Sequence, residues 1–127
     1  MPAKTPVSVI DASALAALLF GEPEAEEVAR RIEGTVLIAP RLLPFEIASV
    51  TLKKLRKHPA QREKIMAAHN LLDRMTIELI DVPLEQVVLL AEQKGLTTYD
   101  AAYVWLARSC GAGLETLDRE VGKAMEK

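Results

Sequence analysis

Two short runs of branched apolar residues, Val7–Ile10 and 36–39, alternate with much longer segments whose apolar residues recur at helical spacing. This alternation limits the fold more than any other feature of the chain. A four-residue apolar run flanked by helices reads as a strand buried on both faces. Such strands, joined by helical crossovers, pair in parallel and need helices on both sides of the sheet. Asp11 closes the first run, and residues 12–20 then read as a helix.

The rest of the chain continues the pattern. Pro23 suits a first helical position, and Ala25, Val28, Ala29 and Ile32 follow at helical spacing until Gly34. Pro44 opens a long helix ending near His58 and Pro59, and a further helix over 61–74 should turn Ile65, His69 and Leu72 inward. Residues 76–80 alternate polar and apolar, as a half-exposed edge strand does. Pro83 starts a helix with Leu84, Val87, Val88 and Ala91 on one face and Gly95 as its cap. Thr97 and Thr98 precede a helix over 100–109, and Gly111 and Gly113 lead into a last strand at 114–117, with Asp118 at its end. The expectation is one three-layer α/β/α domain, residues 1–127, around a central parallel sheet.

Half of the 127 residues are hydrophobic but only 4% are aromatic, so the core must be built from Ala, Leu, Val and Ile. The lone Cys110 cannot close an intrachain disulfide; a buried position and a reducing, cytoplasmic setting are expected. The apolar stretch at 12–20 is too short to span a bilayer and lacks a basic flank, so neither a signal peptide nor a membrane anchor is read. A net charge of −2 offers nucleic acid no global attraction. Any such binding must use a local basic surface, and Lys53, Lys54, Arg56 and Lys57, with Arg62 and Lys64 beyond, form the one basic concentration. A solvated helix face is the default reading. Yet Lys53 and Lys57 share a narrow arc with Glu46, about 10 Å and about 16 Å along the helix, where phosphates flanking a reacting bond could use them.

Asp11 and Asp118 sit at strand ends, on the edge where open α/β sheets collect ligands. Glu46 and Asp100 fall in the first turns of helices, where an anion is favoured. Taken singly, each acid has a structural role as cap, dipole partner or loop acid. Together, four hard-oxygen donors facing one crevice would call for a magnesium or manganese ion, which can activate water and stabilise a phosphoryl displacement. His58 and His69 lack partners at metal spacing, and Tyr103 and Trp105 read as core or interface residues.

The blocks Val9-Ile10-Asp11-Ala12-Ser13-Ala14-Leu15, Pro44-Phe45-Glu46-Ile47-Ala48, Thr98-Tyr99-Asp100-Ala101-Ala102-Tyr103-Val104 and Leu114-Glu115-Thr116-Leu117-Asp118-Arg119 resemble, in order and spacing, the PIN-domain family, in particular its VapC-type toxins. The resemblance covers nearly the whole chain. It implies a metal-dependent endoribonuclease whose acidic pocket is Asp11, Glu46, Asp100 and Asp118, using Mg²⁺ or Mn²⁺, with the hydroxyls of Ser13 and Thr116 supporting the carboxylates. It also implies an RNA substrate, a homodimer, and a VapB-type antitoxin covering the groove. The family usually adds a final strand after the last helix, whereas this sequence stops at Lys127 after residues 121–125. Four strands are therefore expected, with a fifth as the open alternative. The competing reading of function is a PIN scaffold that binds RNA or protein without cleaving.

Overall fold

Val9 and Ile10 have no exposed surface, which a strand achieves only in the middle of a covered sheet. The computed structural model describes residues 5–126 and places β1 (Val7–Ile10) there, in the order β3-β2-β1-β4. Its neighbours are β2 (Val36–Pro40) and β4 (Gly113–Glu115), and β3 (Ile77–Ile80) is the far edge. All three pairings are parallel, with Ser8 opposite both Leu37 and Gly113. Residues 1–4 and 127, which the expected domain included, lie outside the described residues.

The helices are α1 (Ala12–Phe20), α2 (Ala25–Ile32), α3 (Leu43–Lys57), α4 (Arg62–Asn70), α5 (Leu84–Lys94), α6 (Thr98–Cys110) and α7 (Arg119–Met125). One helical layer is built where α1 packs against α3 and α4. In the other, α6 lies on β1 and β2 and carries α5 and α7. Leu15, Leu43, Ile47, Tyr103 and Leu106 meet in the main core with at most 1% of their surface exposed. The result is a three-layer α/β/α architecture with a four-stranded parallel sheet.

From β1 the chain steps outward to β2 and β3, then crosses back to place β4 on the other side of β1. The order therefore reverses between β1 and β4, a switch point of the kind at which open α/β sheets bind ligands beyond the carboxyl ends of their strands. No fifth strand occurs among the described residues; α7 is the last element.

Several expectations need correction. Helix α5 buries Val87, Leu90 and Ala91, whereas Leu84 is 74% exposed and Val88 is also exposed. Both sets fit helical spacing, but Ala101, Ala102 and Val104 of α6 lie only against the first. Cys110 is exposed, because it ends α6 just before the left-handed Gly111. The helix expected over 61–74 ends at Asn70 and tightens into a 3₁₀ turn at Leu71–Arg74. The last strand is Gly113–Glu115 and not 114–117: the Leu117 N–H donates to the Ser13 hydroxyl at 2.9 Å, a side chain standing in for a strand partner. Among the described residues no helix is long and apolar enough to cross a membrane.

Candidate active site

Asp11 follows β1 directly, and its backbone N–H continues the sheet by donating to the Glu115 carbonyl at 3.1 Å. Its extended backbone makes it the N-cap of α1. Asp11 is 5% exposed, and its Oδ1 accepts from the Ser13 hydroxyl at 2.6 Å and the Ala14 N–H at 3.0 Å. Burial raises the carboxyl above its ordinary pKa; the Ser13 and Thr116 hydroxyls and the Ala14 N–H pull it down, and Asp118 pushes it up.

Ser13 and Thr116 join the first and last loops of this edge. Ser13 Oγ lies 3.4 Å from Thr116 Oγ1, which accepts the Asp118 N–H at 3.0 Å. A continuous line of hydroxyls thus runs from the Asp118 backbone to the Asp11 carboxylate. Asp118 is exposed and caps α7, with Oδ1 accepting from the N–H groups of Glu120 at 2.8 Å and Val121 at 3.3 Å.

Glu46 sits half-buried in the first turn of α3, and its Oε1 accepts from the Tyr103 hydroxyl at 2.6 Å. Burial raises its pKa, Tyr103 opposes that rise, and Asp100 and Asp11 add to it. Asp100 lies in the first turn of α6, where its N–H donates to the Thr97 hydroxyl at 3.1 Å. Burial again raises the carboxyl, followed by Asp118 and Asp11, with the Thr97 hydroxyl acting against them.

The four acids arrive from four segments far apart in the chain, yet each either acts electrostatically on another of the four or is acted on by one. Asp11 and Asp100 are central to that coupling. No described Lys, Arg or His forms an ion pair with any of the four, although four such pairs exist elsewhere. In three of them a single oxygen takes the hydrogen bonds named above: Oδ1 of Asp11, Oε1 of Glu46 and Oδ1 of Asp118. Hard-oxygen donors without a counter-charge suit a divalent cation such as Mg²⁺. Among the described residues, however, no three His, Cys, Asp or Glu side chains converge closely enough to hold an ion as they stand. Unscreened carboxylates repel, and Mg²⁺ keeps several of its own waters, so a looser arrangement remains compatible with it.

Tyr103 is the residue that sequence reasoning missed. Its ring is core, as expected, but its hydroxyl reaches across from α6 to α3. A tyrosine on a buried helix face must satisfy its O–H, and Glu46 is the only charge between Leu42 and Leu52; those two facts could have paired them.

Beside Glu46 lies a groove of about 620 Å³ whose lining includes Phe45, Ser49, Val50, Lys53 and Tyr99. Lys53 therefore shares this groove with Glu46, whereas Lys57 is exposed and does not line it. Lys54 turns away to pair with Glu22 at 3.3 Å and covers the Phe20 ring at 4.8 Å. His69 serves structure, its Nδ1 lying 2.8 Å from the Thr51 hydroxyl.

Residues 8–126 match the model of the PIN domain. Ribonuclease VapC3 of Pyrobaculum aerophilum is 32% identical over 123 residues, spanning 91% of this chain and 92% of that protein. Exonuclease VapC9 of the same organism is 49% identical, but over 43 residues, 34% of this chain and 32% of its own. The crystal structure of PAE2754 from Pyrobaculum aerophilum superposes with a TM-score of 0.68 at 27% identity, covering 95% of this chain and 87% of that one. VapC20 of Mycobacterium tuberculosis, a toxin that cleaves the sarcin–ricin loop, shares the fold with a TM-score of 0.64 at 15% identity over 92% of this chain and 94% of its own. With this fold, this carboxylate-lined edge and a family match over nearly its whole length, the chain belongs to the PIN-domain family.

Proposed function

We propose that this chain is a Mg²⁺- or Mn²⁺-dependent endoribonuclease that hydrolyses RNA phosphodiester bonds at Asp11, Glu46, Asp100 and Asp118, and that it is the toxin of a VapBC-type pair. One observation supports the reading: four carboxylates linked by electrostatic coupling, none paired with a described cation, lie toward one edge of the sheet in a chain similar over most of its length to a ribonuclease.

The carboxylates of Asp11, Glu46, Asp100 and Asp118 would hold the ion. Bound there, it would supply an activated water and charge neutralisation on the phosphate. The protein's part is to keep the carboxylates aimed: Ser13 and Ala14 fix Asp11, Tyr103 fixes Glu46, and the α7 amides fix Asp118. Lys53 would meet a phosphate of the bound RNA, with Lys57 a helical turn further on. The expected partners are RNA, a VapB-type antitoxin whose basic side chain enters the acidic pocket, and a second copy of the chain.

The test is incubation with linear and circular RNA under a chelator, Mg²⁺, Mn²⁺ or Ca²⁺. Cleavage of the circle with Mg²⁺ or Mn²⁺ but not with Ca²⁺ is expected, since Ca²⁺ coordinates too loosely to place the attacking water. Cleavage confined to linear RNA would make it an exonuclease. A second reading, a PIN scaffold that binds without cleaving, draws on the absence of three converged ligands among the described residues. RNA binding with no turnover under any ion would establish it.

A further inference from the structure

The chain has two phenylalanines, two tyrosines and one tryptophan. In so aromatic-poor a protein, burying each ring is the cheapest way to stabilise the core. Two are withheld from it: Phe45 is 81% exposed and Tyr99 is 63% exposed. Each immediately precedes an acid of the candidate site, Glu46 and Asp100, and both line the groove beside Glu46. Phe45, Ser49 and Lys53 follow one another at single-turn intervals along α3, so the ammonium lies on the same helix face as the ring, about 12 Å along the axis. Long helical side chains lean toward the helix N-terminus, which brings the ammonium back toward the ring.

We propose that Phe45 and Tyr99 form a stacking subsite for one unpaired base of the RNA next to the cleaved bond, with Lys53 neutralising a phosphate of the same strand. The proposal rests on the nuclease reading above and adds the residues that would seat one nucleotide. Aromatic faces and a cation in one groove match the two chemical parts of a nucleotide, a π-face and an anion. A groove of about 620 Å³ lies within the usual range for small-ligand sites. A base still paired in a duplex presents only its edges and could not lie flat on either ring.

The experiment is a double-mutant cycle between protein and RNA, using the full chain with Mg²⁺. Wild type, Phe45→Ala, Tyr99→Ala and the aromatic exchanges Phe45→Trp and Tyr99→Trp are assayed on a single-stranded oligonucleotide and on copies abasic at each position in turn. Both rings are largely exposed, so truncation should leave the fold intact, which melting curves check. Each alanine variant should lose about five- to a hundred-fold in kcat/KM on intact RNA, and the tryptophan variants should retain activity. On RNA abasic at the stacked position, wild type should fall to the level of the alanine variants, and these should lose nothing further. Equal losses on intact and abasic RNA, or none at all, would overturn the subsite while leaving the nuclease reading in place, and no loss would assign the exposed rings to a protein partner. If folded wild type cleaves no RNA at all, the nuclease reading itself fails, and the subsite with it.

Discussion

Replacing Ser13 by alanine removes one hydroxyl that the structure uses twice. It donates to the buried Asp11 carboxylate at 2.6 Å and accepts the Leu117 N–H at 2.9 Å. A hydrogen bond to a charged group contributes about 1.5–3 kcal/mol, and the stranded N–H, only partly buried, adds about 1 kcal/mol or less. The loss should be about 2–4 kcal/mol, or about 8–16 °C in Tm for a domain of this length. The pH dependence makes the test sharper. Burial raises the folded-state pKa of Asp11 above its unfolded value, so in the metal-free protein the contribution of Asp11 to stability is fully present below its unfolded pKa of about 4 and is lost as pH rises through the folded pKa. The Ser13 hydrogen bond restrains that rise, and its removal should enlarge the loss. The variant's deficit should therefore be largest near neutrality and smaller toward acid pH, as Asp11 becomes protonated in both proteins. Urea denaturation of both proteins at pH 4 and pH 7.5, with chelator present, measures it. A deficit that is the same at both pH values, or below about 0.5 kcal/mol, would refute the view that Ser13 acts by holding an ionised Asp11.

Asp100→Asn should abolish cleavage, yet leave the metal-free protein as stable as wild type or more so, because it relieves repulsion from Asp118 and Asp11. In a Mg²⁺ titration, wild type should gain RT ln(1 + [Mg²⁺]/Kd) and the variant much less; a destabilised variant with an equal response would make Asp100 a structural residue. Lys53→Glu with Lys57→Glu should weaken RNA binding and lower its salt slope by about 0.7 per lost phosphate contact, with Lys53→Glu alone carrying most of the effect. An unchanged slope would remove both lysines from the RNA path. Tyr103→Phe deletes the hydroxyl that holds down the Glu46 pKa, so the acidic limb of the kcat/KM profile should move to higher pH while the core stays packed; an unmoved limb would make Tyr103 only a core residue.

The local order of the chain was open to reading because its signals are local. β1 and α1 occur where the apolar run and the acid that ends it predict them. Gly95 caps α5 with a φ of +68° that suits glycine, and Thr97 caps α6 with its hydroxyl. Element ends moved where a side chain from elsewhere intervened, as Ser13 does at Leu117. The buried face of α5 was undecidable from spacing, since Leu84 and Val88 fit the helical period as well as Leu90 does, and only the position of α6 separates them.

The sequence by itself determined that four acids would sit at the ends of strands and the starts of helices, because caps, apolar runs and turn residues act over a few positions. Whether those acids meet was decided by the strand order. Placing β4 beside β1 brings the loop of Thr116 and Asp118 against Asp11 across about a hundred residues of chain, a register set by burial of whole strand faces. The bond between Tyr103 and Glu46 is of the same kind. Each partner has a local explanation, as a core ring or a first-turn acid, and only the packing of α6 and α3 at one edge of the sheet turns the two into a single arrangement.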